Sequence, residues 1–278
     1  MKKLALLFIA VLITGFSYGQ KREKVKGSKN VTIEKKEIGN FENLEVEDNF
    51  EILLIKSDKC SLEIEADDNL HSEVNINFNG NTLRLTTSKD VVGFKKFLVK
   101  VFYNNDFKLL LAKHETVITA TSDVELDNFT IKSFDYSKIY VNAKVKVFTI
   151  VQNDKSKSEL NLKSEMATIE LSKNAQLKAL IASNQLKVDL YQKSTAVVEG
   201  DVDELKLRVD NSSEFTGMNL ISKTAELIAE ADTTTKLNVV TSASIEASGK
   251  SEIQFYGDAK IELKKFTENT VIMKKTLK

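Results

Sequence analysis

The sequence predicts an all-β protein: a parallel β-helix, a solenoid of about 19-residue rungs, with a β-rich N-terminal unit. Three observations predict it. Val, Ile, Leu, Thr and Phe alternate with Lys, Glu and Asp over short segments, which is the strand period. There is no proline and there are only 10 glycines in 278 residues, so the chain is not a loop-rich scaffold. Between Phe107 and Ile253, the pattern apolar-x-apolar-x-apolar returns eight times.

In chain order, Met1 to Gly19 pairs Lys2 and Lys3 with the apolar run Leu4–Ile13 and a small-residue end at Ser17 and Gly19. This is the layout of a secretory signal peptide, and the run is shorter than the roughly 20 residues a transmembrane helix needs. The mature chain is therefore expected to be exported, either periplasmic or on the cell surface, with no transmembrane segment. Residues 20–40 are expected to be a flexible leader, basic from Lys21 to Lys29, followed by a first strand. Residues 41–105 form the N-terminal unit, outside the 19-residue register. Within it, Asn79-Gly80 between alternating runs predicts a hairpin.

Residues 106–278 are assigned to the β-helix and its capping tail. The third apolar slots fall at Leu111, Ser133, Gln152, Leu171, Leu190, Val209, Ala231 and Ala247. Four residues after each stand Glu115, Ser137, Ser156, Ala175, Ser194, Ser213, Thr235 and Ser251, a column expected in a turn with stacked hydroxyls. A 19-residue unit cannot bury its own apolar face, so one unit must stack on the next. Neighbouring strands about 4.8 Å apart would make eight rungs rise roughly 34 Å. Ser133 and Gln152 are polar at slots expected to face inward, and Gln152 then needs internal partners. Ile261, Leu263 and Val271–Met273 are expected to continue or cap the last rung, with lysines keeping that end soluble.

Composition excludes several function classes. Without the signal segment, 38 basic residues face 40 acidic ones, which leaves no electrostatic footprint for nucleic acid. Cys60 is the only cysteine, so no intramolecular disulfide can form, and a buried inert thiol is expected. With two histidines, His71 and His114, zinc lacks its usual ligands; no metal site and no cofactor are predicted.

The segments Gly39-Asn40-Phe41-Glu42-Asn43-Leu44-Glu45-Val46, Phe50-Glu51-Ile52, Glu65-Ala66-Asp67-Asp68-Asn69-Leu70 and Gly80-Asn81-Thr82-Leu83-Arg84-Leu85 carry a family resemblance. It continues through Ala247-Ser248-Gly249-Lys250-Ser251-Glu252-Ile253 and Tyr256-Gly257-Asp258. Over about residues 30–275 the chain resembles the family described as putative auto-transporter adhesin, head GIN domain, a domain of unknown function in exported bacterial proteins. The resemblance implies a β-helical fold and an exported location. This chain departs from the family's turn pattern by keeping Gly two places after the third slot only at Gly249, with Lys113, Asp135, Asp154, Lys173, Gln192, Asn211 and Thr233 elsewhere.

Parallel β-helices also host polysaccharide-active enzymes, which use two carboxyls facing a cleft. Asp135 and Asp154 share a turn position on adjacent rungs, about 5 Å apart by the rung rise, and Asp210 and Asp232 make a similar pair. The first pair has no accompanying His or Arg in register, and Asp is common in turns for backbone hydrogen bonding, which serves equally for the second pair, so no catalytic residue is assigned. Phe134, Tyr136, Tyr140 and Tyr191 are expected to lie outward or in turns, as candidate binding residues. The expected role is a noncatalytic, adhesin-like binding protein of the cell envelope, with a cell-surface glycan or envelope protein as partner. The alternatives are a polysaccharide-active enzyme using Asp135 and Asp154, and a purely structural envelope protein.

Overall fold

The computed structural model describes residues 22–277, so the signal segment lies outside the described residues. The strands are β1 (Lys24–Lys26), β2 (Val31–Glu37), β3 (Asn43–Val46), β4 (Glu51–Lys56), β5 (Ser61–Asp67), β6 (Val74–Asn79), β7 (Thr82–Thr87), β8 (Asp90–Val92), β9 (Phe97–Tyr103), β10 (Leu109–Ala112) and β11 (Val117–Ala120). They continue as β12 (Val124–Ser133), β13 (Lys138–Gln152), β14 (Lys157–Leu171), β15 (Gln176–Leu190), β16 (Thr195–Val209), β17 (Glu214–Ala229), β18 (Thr234–Ala247), β19 (Glu252–Tyr256), β20 (Lys260–Phe266) and β21 (Val271–Lys274). One short 3₁₀ helix, Asp68–Glu73, links β5 to β6.

From β12 to β18 each strand pairs in parallel with the next, residue for residue over most of its length, as a β-solenoid requires. Each long strand bends where inside-outside alternation breaks: in β13 the two consecutive exposed residues are Lys146 and Val147. The triplets pack as the alternation predicts. Leu186, Val188 and Leu190 are buried, whereas Lys187 is exposed between them. Burying a Leu or Val side chain contributes about 1.5–3 kcal/mol, and each rung repeats the contribution. At the first slot, Phe107, Phe129 and Phe148 form a ladder with ring centroids 5.6 and 6.1 Å apart.

The register is corrected at two rungs. Ser133 stacks on Ala112, not Leu111, and Val209 stacks under Ala229, not Ala231. Longer connections before Ser133 and after Val209 shift the spacing there, and counting apolar letters alone picks the wrong phase. With this register the hydroxyl column becomes Thr116, Ser137, Ser156, Ala175, Ser194, Ser213, Thr233 and Ser251, every one buried. Glu115 and Thr235 leave the column. Ser194 Oγ lies 3.4 Å from Ser213 Oγ and donates to Leu171 O at 3.2 Å, and Thr233 Oγ1 donates to Ser251 Oγ at 3.0 Å. Gln152 and Ser133 do face inward. Ser133 Oγ lies 2.7 Å from Ser137 Oγ, but Gln152 has only a 3.5 Å contact from Nε2 to Ser156 Oγ, and its Oε1 has no partner.

The N-terminal unit is part of the stack. β3 and β4 pair in parallel with β10 and β11 on one side and with β7 and β9 on the other. The later segment 82–103 thus lies outside the earlier segment 43–56. Phe97 and Phe50 extend the hydroxyl column as a stacked aromatic pair, 4.8 Å between centroids. Antiparallel strands then close this end: β6 on β7, β5 on β9, and β2 on β5. The predicted Asn79-Gly80 hairpin is the β6–β7 turn, with Gly80 at φ +57°.

From Arg22 onward, the segment expected to be a leader carries β1 and is paired to the body of the fold. β1 pairs with β8, and the fully buried Asp67 carboxylate accepts the backbone N–H groups of Lys29, Lys95 and Lys96 at 2.9–3.1 Å. Burial pushes the Asp67 pKa up, but these three amides hold it below the usual carboxylate value. Cys60 is free and buried.

Candidate functional site

The rungs all turn at one corner, and that corner builds the candidate site. Each turn spans four residues, and in the five successive turns from Lys113 to Ser194 a bond from the fourth N–H to the first carbonyl closes it, as in Ser137 N to Phe134 O at 3.1 Å and Ser194 N to Tyr191 O at 3.2 Å. The second residue always has positive φ: Asp48, His114, Asp135, Asp154, Lys173, Gln192, Asn211, Ala231, Gly249 and Glu268 run up the corner in one column. This conformation explains the family's preference for Gly at that position, because a Cβ there costs about 1–2 kcal/mol. Asp and Asn tolerate it better than Lys, Gln or Ala.

Two turn types occur along the column, and the type changes between Asp154 and Lys173. Asp135 and Asp154 are followed by residues of negative φ, the pattern of a type II′ turn; Lys173-Asn174, Gln192-Lys193, Asn211-Ser212 and Ala231-Asp232 have positive φ at both positions, that of type I′. The two types differ by a flip of the central peptide. The hydrogen bonds record it: Lys155 N donates to Asp135 O on the rung before, but Asn174 N donates to Gln192 O on the rung after. In a planar trans peptide the carbonyl points opposite to the N–H. The carbonyls of Asp154 and Lys173 therefore point into the same inter-rung gap, and neither central amide donates into it.

This gap lies in an open groove of about 900 Å³ lined by Asp135, Tyr136, Asp154, Lys155, Lys173, Asn174, Gln192, Lys193, Asn211, Ser212 and Ala231. Six successive rungs contribute, so the groove runs roughly 24 Å along the stack. Toward the N-terminal end it continues into a second hollow of about 600 Å³, which shares Asp135 and Tyr136 and is walled by Arg22, Lys24, Val91 and Val92 of the β1–β8 ribbon. Arg22 binds Asp48 there, Nη1 to Oδ1 at 2.6 Å. Burial raises the Asp48 pKa, but the bonds from Arg22 and Thr87 outweigh it and hold the carboxyl below its ordinary value.

The structure separates the sequence candidates. Tyr136 is 55% exposed, lines the groove, and has Lys155 Nζ 5.3 Å from its ring centre. Phe134 and Tyr191 occupy the first turn position three rungs apart, both half-buried. Arg208 lies 6.0 Å from the Tyr191 ring. Burial and then the nearby Asp189 push the Tyr191 phenol pKa up. Tyr140 is on the strand beyond the turn, in a separate shallow hollow with Lys138 and Lys157. The four aromatics therefore do not form one patch.

Asp135 and Asp154 do share a column on adjacent rungs, but their carboxylates engage opposite neighbours. Asp135 Oδ2 accepts His114 N–H at 3.0 Å on the rung before, and Asp154 Oδ1 lies 3.6 Å from Lys173 Nζ on the rung after. The Asp210 and Asp232 pairing is lost with the register correction, since Asp210 is the first residue of its turn and Asp232 the third of the next. Among the described residues no group of three or more His, Cys, Asp or Glu could hold a metal ion. Sequence reasoning missed Lys155, Asn174, Gln192 and Lys193 as groove residues. Their positions two or three residues after the third slot were the available signal.

Among solved structures, the fold is similar to a putative adhesin from Parabacteroides merdae, TM-score 0.67 at 16% identity, covering 92% of this chain and 98% of that one. It is also similar to a putative adhesin from Parabacteroides distasonis, TM-score 0.64 at 17% identity over 91% and 98% of the two chains. A putative lipid binding protein from the same species matches at TM-score 0.63 and 17% identity, over 92% and 100%. At these identities the likeness shows the fold alone. No curated protein sequence matches the chain significantly. No helix among the described residues is long and apolar enough to cross a membrane. The family described as putative auto-transporter adhesin, head GIN domain, matches residues 40–259, and the chain belongs to it.

Proposed function

We propose that the protein is an exported, noncatalytic binding protein of the cell envelope, and that the turn-column groove takes a cell-surface glycan. The carrying observation is the groove itself, about 900 Å³ and open along six rungs. Its chemistry suits a polyhydroxylated chain. Asp154 and the two facing carbonyls accept hydrogen bonds from hydroxyls, Lys155, Lys193, Asn174 and Gln192 donate to ring and hydroxyl oxygens, and Tyr136 offers an aromatic face. The rungs hold these groups on a rigid ladder, so little ordering entropy opposes binding. The diverging carboxylates of Asp135 and Asp154 disfavour the polysaccharide-active enzyme, and the signal segment favours export.

A glycan array and a pull-down from envelope extracts test this reading. Binding that Tyr136→Ala and Lys193→Ala weaken, and Tyr140→Ala leaves unchanged, is expected. Blank results in both assays at high protein concentration would sink it. Glycan cleavage lost in an Asp135→Asn, Asp154→Asn double variant would establish the enzyme instead.

A further inference from the structure

The two ends of the stack are finished differently. At the N-terminal end the strand direction reverses, and β6, β5 and β2 cover the first rung; β2 and β6 are themselves edge strands, but β2 carries the charges Glu34 to Glu37, which blunt an edge against further pairing. At the other end β20 pairs only with β18, and β21 only with β19, so among the described residues their outer edges carry no strand. The last rung still has core residues at its slots: Ile261 stacks on Ala243, Leu263 on Ile245 and Phe266 on Ala247. Yet every residue of β20 is exposed, with Ile261 at 36%, Leu263 at 49% and Phe266 at 38%. An open edge above an exposed apolar rung is a template for another strand.

We infer that this end binds a second copy of the same chain, β20 against β20 in antiparallel pairing about a twofold axis at Ile261. The charge pattern of β20 selects both occupant and register. With the axis at Ile261, Lys260 stands opposite Glu262 of the other copy and Glu262 opposite its Lys260. Within the strands the pairing then covers Lys260 to Glu262, with Ile261 meeting itself, and Leu263 comes opposite Ala259 in the connection just before β20. Moving the axis to Glu262 would set Glu262 against itself and Lys260 against Lys264, like charges directly opposite, which destabilises a strand pair. With the axis at Leu263, Ile261 would face Lys265, which the bulge between Ile245 and Glu246 turns onto the outer face beside Glu246. Only the first register matches inside with inside and opposite charges outside. The twofold closes the contact, so the assembly stops at two stacks, and the antiparallel caps lie at its far ends.

The test is the mass of the purified protein by light scattering and sedimentation at about 100 μM, a concentration that populates micromolar dimers. A dimer is expected. Lys260 and Glu262 are both exposed, so substituting them leaves the fold intact, checked by unchanged thermal unfolding at low protein concentration. Glu262→Lys should weaken the dimer roughly tenfold, as two opposite-charge pairs become like-charge pairs. The exchange Lys260→Glu with Glu262→Lys should restore it. A monomer at every concentration overturns the inference. So does a dimer indifferent to Glu262→Lys, or a mass that grows without limit. Glycan binding through the groove is independent of all these outcomes.

Discussion

Replacing Gln152 by Met should stabilise the protein. Gln152 is fully buried between Ser133 and Leu171 on the neighbouring rungs. Its Oε1 has no hydrogen-bond partner, and its Nε2 reaches Ser156 Oγ only at 3.5 Å. An unsatisfied buried acceptor costs about 1–3 kcal/mol, whereas the long contact to Ser156 is worth no more than about 0.5–1 kcal/mol. Ser156 keeps its bond to Asn153 O at 2.8 Å, so removing the amide orphans nothing. Met has a similar length and no branch, so it fits the slot without new strain. The net gain is about 1–2 kcal/mol, and for a chain of this size each kcal/mol moves the midpoint by about 2–4 °C. Thermal and urea unfolding followed by circular dichroism measure it. A loss of about 1 kcal/mol or more would refute the reasoning, because it would mean that the Gln152 amide is satisfied by an internal water in the solenoid.

Three further outcomes follow from the same geometry. Gln192→Gly and Ala231→Gly should each stabilise by about 0.5–1 kcal/mol in urea titrations, since the positive φ at both sites taxes a Cβ by more than Gly costs in chain entropy. Gly200→Ala should destabilise by about 1–3 kcal/mol or abolish soluble expression, because the new Cβ would sit 2.1 Å from Ile181 O at φ +113°. Asp48 and Asp67 both have depressed pKa values in the fold, so the unfolded chain binds protons first as pH falls. Their contribution is present above an ordinary Asp pKa of about 3.8 and is lost below it as pH drops through the folded values. Hydrogen exchange should then show the β1–β8 ribbon and residues 27–30 loosening below about pH 4. Asp67→Asn should loosen the 27–30 segment at neutral pH, and no change in its protection would contradict this account.

Much of the fold was legible in particular residues. Leu186-x-Val188-x-Leu190 and its neighbours specify an inward face by alternation alone, and five equally spaced slots from Ser133 to Val209 specify a rung. The inward direction of the polar slots was legible too, but their partners were not: Ser133 finds Ser137, whereas Gln152, expected to need internal partners, has none at Oε1. The site was less legible. Tyr136 and the pair Asp135 and Asp154 fall in the groove, but Lys155, Asn174, Gln192 and Lys193 read as ordinary polar turn residues until the turns are stacked.

By itself, then, the sequence determined the β class, the inward face, the rung length and the corner where turns occur, because these depend on side-chain pattern within a few residues of chain. Tertiary structure decided which strand lies beside which. Segment 82–103 stacks outside 43–56, Ala112 and Ala229 replace Leu111 and Ala231, and the turn amides reverse between Asp154 and Lys173. A period of two tells a residue which face to take but not which neighbour to pair with. That choice belongs to hydrogen bonds between rungs, and the groove exists only once they are made.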